Sequence, residues 1–292
     1  MKKNSKFINE KLLNNFLLIY NSVWLIFLLL VISKFELLDS IDYLFESYTK
    51  QPILRPEILS WILINKFLAF TNFSINSLSY IFILFSSIAL IFNNKQLILL
   101  SLFGGFSLAS QPRLLFLIIF LSCLVYFKSR LLKLSFLFLT SLFHSSIVLL
   151  LISPLLFILN IDNLIFILKN FEITQFFSNK LESLIDKQNF YKFSLVRFLD
   201  PLVIINILIF ANLLYYKDIY KVIFSIIIFF WIFLFLFNPE LTIITRRILE
   251  LVVMLALIFF YKSFLPYIRV YLIVLILIYN LINSYKYAAF FF

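Results

Sequence analysis

The sequence predicts an all-α, polytopic integral membrane protein, built as a single transmembrane domain over residues 1–292. Three observations carry this. Hydrophobic residues make up 63% of the chain and the mean hydropathy is +1.06, which is more apolar surface than a soluble domain of this length hides. The apolar residues fall in runs that approach the roughly 20 residues needed to cross the hydrocarbon. The runs also lack the polar–apolar alternation that a membrane β-barrel requires.

Taken in order, nine runs are expected to span: residues 16–32, 78–91, 97–109, 114–127, 134–158, 202–216, 222–237, 248–260 and 268–282. The first has no small-residue cleavage site behind it, so it reads as a span rather than a signal peptide. Residues 58–70 are apolar but interrupted by Lys66. They read as a short re-entrant or interfacial helix in the first external loop. Lys2, Lys3, Lys6 and Lys11 precede the first span and place the N-terminus in the cytoplasm. With nine spans, Lys95, the Lys128, Arg130 and Lys133 cluster, Lys217 with Lys221, and Lys262 all fall on that side. Counting residues 58–70 as a span would move Lys95 and the 128–133 cluster outside.

Two polar segments then lie outside. Residues 34–57 carry three basic and five acidic side chains, and the larger loop at 160–200 carries five of each. The aromatic stretch 166–177 within it suits the membrane surface. No tandem repeat and no Pro- or Gly-rich linker marks a second domain.

Composition excludes several functions. A net charge of +11 falls largely on short loops, where it sets topology and requires no nucleic-acid partner. Forty Phe and only two Gly fit an AT-rich coding sequence, so the Phe content is no evidence for an aromatic channel. Lys outnumbers Arg 18 to 7, which makes each Arg a departure from the background. The single Cys123 rules out a disulfide within the chain and a Cys-based metal site. No Walker motif, Gly-rich nucleotide loop or zinc-ligand spacing is present.

Against this lipid-like background a few polar residues stand out: Gln111 and Arg113, His144, and Arg246, Arg247 and Glu250. A charge facing lipid costs about 2.5–3.5 kcal/mol on insertion scales, so such residues usually face protein or a wet cavity. Gln111-Pro112-Arg113 breaks a helix at proline. It reads either as a hairpin turn with a snorkelling Arg or as an anchor for phosphate, which the guanidinium fork grips by two oxygens. His144 is the only histidine and lies midway along its run. It reads as a satisfied core residue or as a general base. Glu250 follows Arg246 and Arg247 at helical spacing, so it can pair with either and leave the other for an anionic ligand. In the first external loop Asp39 and Asp42 precede Tyr43, and Arg55-Pro56-Glu57 follows. In the nine-span topology Gln111, Arg113, Arg246, Arg247 and Glu250 converge on the external face from distant parts of the chain.

The stretch 111–152 reads as Gln-x-Arg at a span start, a basic turn, then a span with Phe-His-x-Ser. In this it resembles the EpsG-type branch of the Wzy-like polysaccharide polymerases. Asp42-Tyr43 with the later Arg-Pro-Glu is similar to that family's Asp-Tyr and Glu-Pro region, although the Glu-Pro order is not kept. The run opened by Arg246-Arg247-x-x-Glu250 is similar to its Arg- and Glu-bearing helix. The resemblance implies an enzyme of the bacterial inner membrane that joins oligosaccharide repeat units carried on undecaprenyl pyrophosphate at the external face. It implies glycosyl transfer without cofactor, nucleotide or metal. It also implies membrane lipid as the medium, and a flippase and chain-length regulator of the same pathway as partners. Under it Gln111, Arg113, Arg246 and Arg247 bind pyrophosphate. The base is sought among His144, Asp42 and Glu250, in that order, with Glu250 positioning an Arg. Two other readings remain open. A polyprenyl-phosphate-sugar glycosyltransferase or glycan ligase would lean on Asp39 or Asp42. A non-enzymatic flippase would spread polar residues over both leaflets.

Overall fold

In hydrocarbon every backbone N–H and C=O must be satisfied within the segment, and for a chain without strand alternation that leaves the helix. The computed structural model describes residues 10–34, 66, 69–71, 77–110, 112–124, 150, 199–216, 218–237 and 242–291. Among them there is no strand. The helices are α1 (Glu10–Lys34), α2 (Ser77–Ile91), α3 (Lys95–Ser110), α4 (Pro112–Leu124), α5 (Pro201–Leu214), α6 (Ile219–Phe237), α7 (Thr242–Phe260) and α8 (Pro266–Phe291). A 3-10 turn, Tyr261–Ser263, joins the last two.

Eight of the nine expected runs thus coincide with described helices, shifted by a few residues at their ends. The run at 134–158 lies outside the described residues except for Leu150, as do most of 58–70 and of 160–200. Among the described residues three helices are long and apolar enough to cross a membrane: Leu12–Ser33, Ile219–Phe237 and Pro266–Tyr285. Ser79–Ile91, Lys95–Gly105 and Pro201–Leu214 are apolar but shorter. The structure therefore supports an all-helical chain with three helices of spanning length, and the nine-span topology goes beyond them. α7 is long enough, but Arg246, Arg247 and Glu250 interrupt its apolar sequence.

α3 and α7 form the centre. α3 packs on α1, α2, α4, α7 and α8, and α7 packs on α3, α4, α5 and α6. From Leu251 to Ile258 every side chain of α7 is buried, so this stretch is apolar all round. The peripheral helices are also apolar on the faces they expose. α1 exposes Leu12, Phe16, Ile19, Val23, Ile26 and Leu30, and α6 exposes Ile223, Ile226, Phe229 and Phe233. Continuous stripes of this kind on the outside of a bundle suit contact with acyl chains and exceed the scattered apolar residues of a water-facing surface.

Three corners gather at one end. After α2, Asn93 takes φ 47°. Its amide donates to the Leu90 carbonyl, and the Asn94 amide donates to that of Ala89, a Schellman closure with Asn in the left-handed position. The Asn94 side chain then accepts from the amides of Gln96 and Leu97, capping α3. Gln96 donates to the carbonyls of Leu257 (2.6 Å) and Ile258 (2.5 Å) in the last turn of α7. Asp218 caps α6 through the Tyr220 amide. Asn212 accepts from the Leu265 amide, and the Tyr216 hydroxyl donates to the Ser263 carbonyl. The turns after α2, α5 and α7 are thereby bound together. The starts of α2, α4, α5 and α7 stand at the opposite end.

α3 is broken at Gly105 (φ 34°, ψ −120°). A side chain there would be strained, and an added Cβ would stand 3.4 Å from both the Asn280 amide and the Trp24 indole. The Asn280 side chain donates to the Leu102 carbonyl at 2.7 Å and accepts from the Tyr20 hydroxyl at 3.0 Å. The Trp24 indole N–H donates to Ser284 Oγ at 3.2 Å. These two bonds run α1 parallel to α8 and seat both against the break.

Candidate functional site

The site is built from the start of α5. Pro201 takes the first helical position, where its missing N–H is no loss and its fixed φ suits the helix. Asp200 caps this start, its Oδ1 accepting from the Leu202 amide at 2.9 Å. Its other oxygen, Oδ2, accepts from Arg246 Nη1 at 2.9 Å. One carboxylate thus terminates a helix and holds a cation of another.

Arg246 stands near the N-terminus of α7, where the helix dipole disfavours positive charge. Two carboxylates offset this. Asp200 is one. Glu250, one turn further along, brings Oε1 to 3.6 Å from Arg246 Nε. The same Oε1 accepts from the Tyr279 hydroxyl of α8 at 2.6 Å. The Tyr279 ring stacks on Phe103 of α3, with centroids 4.8 Å apart and planes 17° from parallel. Four helices therefore meet in one chain of contacts, Asp200–Arg246–Glu250–Tyr279–Phe103. The side chains of Arg246, Asp200 and Glu250 are 33%, 17% and 15% exposed. This screens the pairs less than a surface bridge, which is worth about 0–1 kcal/mol.

Arg247 differs. It follows Arg246 but projects about 100° further round the helix, is exposed, and has no ion-pair partner among the described residues. Arg246 is committed to the fold, while Arg247 is exposed. Glu250 accepts from Tyr279 and faces Arg246, so it anchors the arginine turn to α8.

Arg113 is the second residue of α4. α3 runs from the corner end, where Gln96 meets Leu257 and Ile258, to the opposite end, where α4 begins and packs on α7. The start of α4 thus stands at the end of the bundle that holds the start of α7. Gln111, His144 and Asp42 lie outside the described residues.

Two members of the site, Asp200 and Tyr279, were not among the residues singled out from sequence. Asp200 counted only as an acid of the 160–200 loop, although Asp-Pro before an apolar run is a helix-start signature. Tyr279 sits inside an apolar run and signals only through its neighbours Asn280 and Asn283. Among the described residues no group of three or more His, Cys, Asp and Glu is disposed to hold a metal ion. No protein-family model matches the chain, and no curated protein or solved structure does either.

Proposed function

We propose that the chain is a membrane-embedded glycosyltransferase that polymerises oligosaccharide repeat units carried on undecaprenyl pyrophosphate, at the external face of a bacterial inner membrane. The observation that carries this is the division of labour at the start of α7, where Arg246 is clamped by two carboxylates and Arg247 is exposed with no ion-pair partner among the described residues. The likeness of the 111–152 and 246–250 stretches to the EpsG-type polymerases supports the same reading. So does the charge pattern. Lys95, Lys221, Lys262 and Arg269 lie at or beside the bound corners, which suits a cytoplasmic end and agrees with an external arginine cluster and a cytoplasmic N-terminus.

In the reaction an acceptor sugar hydroxyl attacks the anomeric carbon of the donor. The glycosidic C–O bond forms, the C–O bond to lipid pyrophosphate breaks, and the hydroxyl proton passes to a base. Negative charge grows on the leaving pyrophosphate, and fixed cations placed there lower the barrier. Arg247 and Arg113 take that role, with Gln111 as a further proposed ligand of the pyrophosphate. Arg246 holds the turn in place. His144 is the first candidate for the base and Asp42 the second. A flippase and a chain-length regulator would work beside such an enzyme.

Arg247→Lys tests the proposal, because lysine keeps the charge and loses the fork. Long glycan chains should fall about tenfold or more at unchanged membrane level, the effect of losing roughly 1.4 kcal/mol of transition-state stabilisation. A normal ladder on a glycan gel would reduce Arg247 to a topological residue.

A further inference from the structure

The chain has two glycines, and both lie side by side in the middle of α3, one of the two central helices. At Gly105 the ψ of −120° rotates the following peptide away from the helical direction. The rest of α3 therefore continues on a new line within the bundle, where Leu108 and Ala109 are buried and the Ala109 carbonyl accepts from Ser79 Oγ at 2.9 Å, and it leads into the start of α4. A break in a buried helix also takes carbonyls out of the i to i+4 ladder, and a buried carbonyl without a donor is costly. The donor here is a side chain from another helix. Asn280 donates to Leu102 at 2.7 Å and itself lies under the glycine.

Asn280 adjoins Tyr279, whose hydroxyl holds Glu250 and through it Arg246. Two consecutive residues of α8 thus reach two different parts of the molecule. One fixes the arginine turn of α7, and the other fixes the break in α3 that aims the chain towards Pro112 and Arg113. Phe103, stacked on Tyr279, lies between Leu102 and the break and ties both contacts to one turn of α3.

We propose that Asn280 is a positioning residue: its bond to the Leu102 carbonyl at the Gly105 break sets the start of α4 against the Arg246–Glu250 turn. The break and its amide clamp stand on the geometry alone. Their consequence for a pyrophosphate-bearing substrate rests on the glycosyl-transfer reading.

The test separates the two. Spin labels are placed at Ser110 and Thr242, in the full chain with Cys123→Ser, reconstituted in nanodiscs. Asn280→Leu removes the donor from the α8 side, and Gly105→Ala disturbs the break from the α3 side. Each should shift or broaden the label-to-label distance distribution. Tyr20→Phe, which removes only the bond to the Asn280 oxygen, should leave the distribution as in the parent. Unchanged distances in both Asn280→Leu and Gly105→Ala would overturn the positioning role. Undecaprenyl-pyrophosphate-linked repeat unit is then the probe for function in the unlabelled chain. Loss of alignment should raise KM about tenfold with little change in kcat per folded molecule, whereas simple loss of folded protein lowers the rate and leaves KM alone. A distance shift with unchanged KM would remove the functional half of the proposal. A distance shift in a protein whose parent form turns over no donor would sink the glycosyl-transfer reading and leave the clamp standing.

Discussion

Asp200 does two jobs with its two oxygens, and substitutions can separate them. Asparagine still caps a helix start but cannot offset the Arg246 charge, while alanine does neither. Asp200→Ala should therefore be less stable than Asp200→Asn by about 1 kcal/mol, the usual worth of a cap, in reversible unfolding from mixed micelles. Equal losses would mean that the cap contributes nothing. Tyr279→Phe keeps the stack on Phe103 and deletes one hydrogen bond to Glu250, a loss of about 1.5–3 kcal/mol for a bond to a charged group. At this scale the sequence was readable where spacing is local. Glu250 falls one helical turn after Arg246, and the two do pair. Asp200 and Tyr279 escaped because they reach the cluster from 46 residues before Arg246 and 29 after Glu250, and no local pattern encodes such contacts.

The helices were legible because each apolar run has one economical way to satisfy its backbone in lipid, and that way is helical. Their bends were less so. The pair Gly104-Gly105 inside the third run was the available sign of the break in α3, and its partner Asn280 lies 178 residues away from Leu102. The outward stripe of α6 allows a direct test of what surrounds the bundle. Phe229 is exposed near the middle of this helix. Phe229→Lys should cost about 2.5–3.5 kcal/mol of membrane insertion, measured with an insertion reporter. No measurable cost would place that face in water.

For the whole molecule, the fold class followed from hydropathy, whereas the number of spans depended on where lysines fall between runs. The three described corners lie together, with Lys95, Lys221 and Lys262 at or beside them. In a Cys123→Ser background, Lys262→Cys should be shielded from an impermeant thiol reagent in intact cells, and Leu199→Cys should react. The reverse pattern would turn the arginine cluster towards the cytoplasm. The link between Asp200 and Arg246 also bears on how the chain is made. If α7 is inserted into a membrane, its three charges near the start are a burden its own apolar length must carry during synthesis. Asp200 leaves the ribosome 46 residues earlier, so the counter-charge for Arg246 is already waiting when α7 reaches the translocon. The helix with the least favourable sequence can thus be received by neighbours inserted before it, and the order of synthesis becomes part of what makes a charged central helix tolerable.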